Sequence, residues 1–206
     1  MEKSCEKLEI GTTKNGNKQR SRKNKGDTIV ELTKAALFSA LFCVLAPHTI
    51  YVPFSPVGIT PGSFLVFITA LLLGANTGVI SVALYLLLGF FGLPVFSGYT
   101  AGVGVLAGPS GGFLLGFLPC VWITGLFVRR RRGGTQGLLL YLSGMFLGTV
   151  LLYTVGVLWF YFVYAKAASF GEVLTSCAVP FLLPDGIKIL LAAVLYKPLV
   201  RLRLRR

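Results

Sequence analysis

Acidic side chains are scarce in this chain: seven Asp and Glu stand against twenty Lys and Arg, and charged residues fill only 13% of its 206 positions. A soluble domain carries about a quarter, so the deficit points to lipid surroundings. Histidine occurs once, at His48. It has no H-x-x-x-H spacing and no carboxylate cluster beside it, so it reads as an interfacial residue and no metal site is expected. The four cysteines (Cys5, Cys43, Cys120, Cys177) are scattered without a C-x-x-C, which argues against a zinc site or a disulfide framework and leaves small apolar filler. No G-x-x-x-x-G-K-[S/T] loop is present, so ATP binding through a P-loop is not expected. Uphill movement of a solute would then need an ion gradient or a partner that hydrolyses ATP. "GVGVLAG" (102–108) resembles a dinucleotide fingerprint, but its third glycine comes one position late and no βαβ unit surrounds it.

What the chain has in abundance is apolar sequence, at 54%. Between Ala35 and Tyr196 the only formal charges are Arg129 to Arg132, Lys166, Glu172, Asp185 and Lys188. The net charge of +13 therefore belongs to the tails and one loop, a topology signal and not a nucleic-acid face. Residues 1–27 have the composition of a disordered basic tail. That polar stretch is too long for a cleavable signal peptide. Thr28 and Glu31 form a capping box that opens the first helix. Six spans are expected near 29–46, 62–75, 78–93, 111–128, 138–164 and 179–197, each near the roughly 20 residues a bilayer requires. They make an all-α membrane domain over 28–198, followed by a basic terminus at 199–206. The three basic segments fall on one side of such a bundle, which the positive-inside rule makes cytoplasmic, with both termini there. The opposite segments, 47–61, 94–110 and 165–178, are rich in Pro, Gly and aromatics and read as a structured pocket roof.

Small residues four apart recur at Ala36/Ala40, Gly74/Gly78, Gly112/Gly116 and Gly144/Gly148, a spacing that lets helices approach closely. Asp185 and Lys188 stand apart from this pattern. Each charge at mid-membrane costs about 2.5–3.5 kcal/mol, so intramembrane charges mark function by default. At a spacing of three they share one helix face. A salt bridge that merely locks the last span is the structural alternative, yet replacing such a pair by apolar residues is often neutral or stabilising.

"GVISVALYLLLGFFGLPVFSGYTAGVGVLAGPSGGFLLGF" (78–117) and "AVPFLLPDGIKILLAAVL" (178–195) resemble the BioY family, the biotin-specific S components of energy-coupling factor transporters. The likeness runs from about residue 33 to 196. It implies a six-helix S-component bundle in the bacterial cell membrane that binds biotin at the outer face. It also implies a transmembrane coupling protein and two ATPases as partners, no cofactor and no enzymatic activity. By position Asp185 would accept the ureido N–H groups and Lys188 would face the valerate carboxylate. Thr60, Ser63 and Ser110 join the implied site, with Tyr85, Phe96 and Tyr99 as its aromatic contacts. Gly62 stands where the family pattern has a glutamine, removing one expected ligand hydrogen bond. Ala36 and Ala40 match the Ala-x-x-x-Ala stripe that S components present to the coupling protein. Other readings are an S component for another small vitamin, a stand-alone carrier, or a membrane enzyme. A single histidine with the carboxylates Glu172 and Asp185 argues against the last.

Overall fold

The computed structural model describes residues 28–50, 60–129, 134–164, 170–177 and 179–204. Residues 1–27, the 51–59 part of the expected pocket roof, 130–133 and Lys166 lie outside them. Among the described residues eight α-helices follow one another: α1 (Thr28–Leu45), α2 (Gly62–Leu73), α3 (Ala75–Phe90), α4 (Val103–Ala107), α5 (Gly111–Arg129), α6 (Gly134–Trp159), α7 (Phe170–Cys177) and α8 (Val179–Leu204). A π-helical turn, Phe160–Tyr164, prolongs α6. Among the described residues there is no strand beyond an isolated bridge between Phe96 and Thr100.

Helices occupy all six segments expected from the apolar runs, but they are not six full-length spans. Thr28–Leu45, Gly111–Val128 and Gln136–Val163 are long and apolar enough to cross a membrane, while α2 and α3 are apolar but shorter. The twelve residues of α2 rise about 18 Å, well below the roughly 30 Å of hydrocarbon. No loop separates α2 from α3. Gly74 alone breaks the chain, at φ 81°, a left-handed backbone that glycine adopts without penalty, and α3 restarts at once with Ala75. At the other end, α8 runs past the expected stop at 197 to Leu204. Arg and Lys are good helix formers, and cations suit a helix C-terminus.

Buried residues on α1 recur as Ala35, Ser39 and Phe42, and Ala46 just past its end continues them, one stripe at helical period. Phe42 meets the ring of Tyr85 on α3 with centroids 5.2 Å apart. The tightest seam joins α5 to α6 through the paired glycines. A Cβ on Gly116 would come within 3.2 Å of the Leu152 carbonyl, and one on Gly148 within 3.1 Å of the Cys120 carbonyl. Gly125 of α5 sits directly on the backbone of Gly74 and Ala75, where α2 turns into α3. This holds the short α2–α3 hairpin against the long helices and brings the N-terminus of α2 to the same end of the bundle as the start of α8.

A methyl group at Gly125 must displace backbone, whereas one at Gly104 of α4 meets nothing within 4 Å. Gly125→Ala is expected to destabilise the purified protein by about 1–3 kcal/mol, and Gly104→Ala to stay within about 0.5 kcal/mol of wild type. Thermal unfolding in detergent separates the two; equal midpoints would contradict the assigned seam.

Candidate functional site

Asp185 and Lys188, one turn apart on α8, form an ion pair of 2.9 Å. The surrounding helices complete it. The Thr60 hydroxyl accepts from the Gly62 N–H at 3.2 Å, and the α2 ladder begins with the Leu65 N–H on the Pro61 carbonyl at 3.0 Å, so the Thr60 carbonyl lies outside it and is available to α8. Lys188 Nζ donates to that carbonyl at 2.7 Å, to Ser63 Oγ at 2.8 Å and to Asp185 Oδ1 at 2.9 Å. These three bonds use every hydrogen of the ammonium. Ser63 in turn donates to Asp185 Oδ1 at 3.1 Å, and Tyr153 of α6 donates to Oδ2 at 2.6 Å. Asp185 is only 5% exposed, and both of its oxygens are satisfied. The pair thus meets the condition for a tolerable buried ion pair, with the remaining lone pairs and protons bonded.

A small cavity, with about 50 Å³ of room for water-sized centres, is lined by this cluster. Its walls are Phe113, Leu114, Phe117, Leu152 and Phe181, with Ala46 and the face of Tyr85. The Tyr85 hydroxyl donates away from the cavity to the Val95 carbonyl at 3.1 Å. Ser97, in the loop after α3, and Ser110, just before α5, also line the cavity.

Of the residues expected from sequence, Thr60, Ser63, Tyr85, Ser110, Asp185 and Lys188 line this one cavity. Phe96 does not: it is fully buried, set edge-on against Tyr85 at 5.7 Å. Tyr99 does not either. It is 61% exposed and lines a neighbouring depression with Pro47, His48, Thr60 and Lys188. The geometry also bears on the division of labour expected for the two charges. With Nζ 2.9 Å from the carboxylate, the two charges stand side by side in the cavity lining. Gly62 has a structural counterpart as well: a Cβ there would lie 3.0 Å from the Phe117 ring, so that ring takes the space where the family pattern has a glutamine side chain. Sequence reading missed Tyr153, Ser97 and Phe181. Phe181 was reachable, standing four residues before Asp185 on the same helix face. Tyr153 is one tyrosine in a long apolar run, and nothing local marks its partner. Ala36 and Ala40 are exposed on α1, beside the buried stripe.

Gly108–Gly112 also spells G-x-S-x-G around Ser110, but a short helix precedes it where a nucleophile elbow needs a strand. No histidine lines the cavity, and the described residues contain no group of His, Cys, Asp or Glu able to hold a metal. The arrangement presents donors and acceptors; it is suited to binding.

Residues 17–205 match the BioY family. The chain belongs to the BioY family. Its relatives there include the biotin transporter BioY of Thermotoga maritima, 36% identical over 85% of this chain and 99% of that protein. The probable biotin transporter BioY of Pyrococcus horikoshii is 32% identical over 80% and 93%. Among solved structures, the S-component for biotin from an ECF-type ABC transporter superposes with a TM-score of 0.72, covering 85% of this chain and 93% of the other at 26% identity. The helical bundle of this BioY chain is therefore that of an S component, and its family is one of transporters.

Removing one charge leaves the other buried and unpaired, which typically costs about 3–5 kcal/mol, whereas replacing both by apolar residues is often neutral. Asp185→Leu and Lys188→Met are each expected to lower the unfolding midpoint in detergent. The double variant should recover most of the loss, without recovering ligand binding. A double variant as unstable as the sum of the singles would show that the two do not act as a pair.

Proposed function

We propose that this chain is the membrane subunit that captures biotin for an energy-coupling factor importer. The observation that carries the reading is the side-by-side carboxylate and ammonium in the lining of an otherwise largely apolar cavity. A cyclic urea carries a carbonyl acceptor flanked by two diverging N–H donors, so each edge pairs one donor with the acceptor. Asp185 answers one N–H and Lys188 the carbonyl, while the aromatic and aliphatic walls suit the fused thioether ring and the alkyl chain. In this reading both charges hold the ureido edge, and the valerate carboxylate lies further out, toward Ser97 and Ser110. The names of the curated relatives and of the solved S component support biotin as the ligand.

Transport energy comes from two partner ATPases joined through a transmembrane coupling protein, since the chain carries no phosphate-cradling loop. The exposed Ala36/Ala40 face of α1 is the surface for that coupling protein, because small side chains permit close helix approach. Basic segments at both termini and at Arg129–Arg132 put those parts at the cytoplasmic side of the bacterial cell membrane and the cavity mouth outside, with six passes through the bilayer.

Equilibrium binding of labelled biotin and biotin amide to the purified chain tests the ligand assignment. Lys188→Ala removes a charged hydrogen-bond donor, worth about 1.5–3 kcal/mol, and is expected to weaken both ligands alike by roughly ten- to a hundredfold. A loss confined to biotin would return Lys188 to the carboxylate role. For the coupling surface, Ala36→Leu with Ala40→Trp should leave biotin binding intact and abolish co-purification with the coupling module. Unchanged recovery of the complex would place that interface elsewhere.

A further inference from the structure

The Lys188 ammonium gives its three hydrogens to Thr60, Ser63 and Asp185, and an ammonium has no fourth. A ligand carbonyl therefore reaches Nζ only by taking the place of one of these acceptors. They are not equally placed to leave. Ser63 donates to Asp185 Oδ1 at 3.1 Å, so these two and Lys188 close a ring of three hydrogen bonds. The Thr60 main-chain carbonyl stands outside that ring. Among the described residues it is tied to the cluster through Lys188 alone, at 2.7 Å. Nor does α2 hold it, since the ladder of that helix begins on the Pro61 carbonyl.

A carbonyl released into a cavity lining needs a new donor, because a buried acceptor left unpaired costs as much as a lost hydrogen bond. Thr60 lines the same cavity as Ser63, Asp185 and Lys188, so a ligand that takes its donor is placed to supply another. The tetrahedral ammonium keeps its acceptors on different sides of Nζ. The lining thus has an order of carboxylate, ammonium, carbonyl, which is acceptor, donor, acceptor. A cyclic urea is the complement, with an N–H on each side of its C=O. On the carboxylate side Lys188 and Ser63 occupy Oδ1. The oxygen left for the first N–H is Oδ2, which Tyr153 steadies at 2.6 Å.

We infer that the Thr60 main-chain carbonyl is a third reader of the ligand: Lys188 exchanges it for the ureido carbonyl, and the freed Thr60 oxygen accepts the second ureido N–H. Lys188 then keeps three acceptors and the Thr60 carbonyl keeps a donor. The inference rests on biotin being the ligand and narrows the specificity of that site, which requires both ureido N–H groups and not one edge of the ring.

Two cyclic carbamates, each with a ring oxygen in place of one ureido N–H of biotin, test it by equilibrium titration of the purified full chain. Each is expected to bind about ten- to a hundredfold more weakly than biotin. A carbamate that matches biotin would show that one N–H goes unread and would overturn the inference, with the biotin reading intact. If biotin itself does not bind the folded chain, the biotin reading falls and the inference with it. A carbamate carbonyl is also a poorer acceptor than a urea carbonyl, so the protein is varied as well. Lactic acid in place of Pro61 turns the Thr60 carbonyl from an amide into an ester carbonyl, a weaker acceptor. It deletes no N–H, because proline has none. In that chain the preference for biotin over one carbamate is expected to shrink about three- to tenfold, with the preference over the other unchanged. If both preferences stay as in wild type, Thr60 reads no N–H and the inference is overturned.

Discussion

The Lys188 ammonium is bound at once to the Thr60 carbonyl, the Ser63 hydroxyl and the Asp185 carboxylate, and Tyr153 completes the carboxylate from a third helix. In an apolar bundle this cluster is what ties α2, α6 and α8 together at one end. The outward face of α8 carries Leu183, Ile187, Leu190 and Val194, all exposed, and so contributes little to holding the helix in the bundle. Much else follows from keeping the pair satisfied. Pro61 starts α2 late enough to leave the Thr60 carbonyl free, and the short α2–α3 hairpin sets that carbonyl at the depth of Lys188. The glycine seam between α5 and α6 fixes the helix that carries Tyr153.

A cluster already saturated internally sets a demanding test for any ligand. To reach Asp185 or Lys188 a ligand must replace bonds of 2.6–2.9 Å with bonds of equal quality, because a buried charged group left unpaired loses far more than one net hydrogen bond. A urea edge can make that exchange, with donors for the carboxylate and an acceptor for the ammonium. An apolar solute of the same shape cannot. In the proposed reading, selectivity at the pair arises from the cost of leaving it open.

The helices were legible because lipid imposes a coarse rule: long uncharged runs interrupted by Gly, Pro or arginine. The site's charges were legible for the converse reason, since an i,i+3 pair in an apolar run has no cheap explanation. What was not legible depended on contacts distant in sequence. Tyr153 meets Asp185 across 32 residues, and the Lys188 bond to Thr60 spans 128. Phe96 and Tyr99 share one aromatic loop, yet the left-handed turn between them sends one ring into the core and the other to the surface. Composition does not encode that choice. The Gly62 substitution read as a missing hydrogen bond, and only packing revealed that Phe117 fills the space. The α3 start and the α8 end were misjudged because Asn, Thr and terminal arginines look like loop residues when their helical neighbours are not considered.

The central claim is that the paired charges read a urea. It is tested most directly by titrating the purified chain with biotin and with its analogue in which a protonated guanidine replaces the urea. That swap turns the acceptor facing Lys188 into a cation while leaving the rings and the alkyl chain unchanged. Saturable one-to-one binding of biotin, with the guanidine analogue at least about a hundredfold weaker, is the predicted result. Equal affinity for the two would contradict the account.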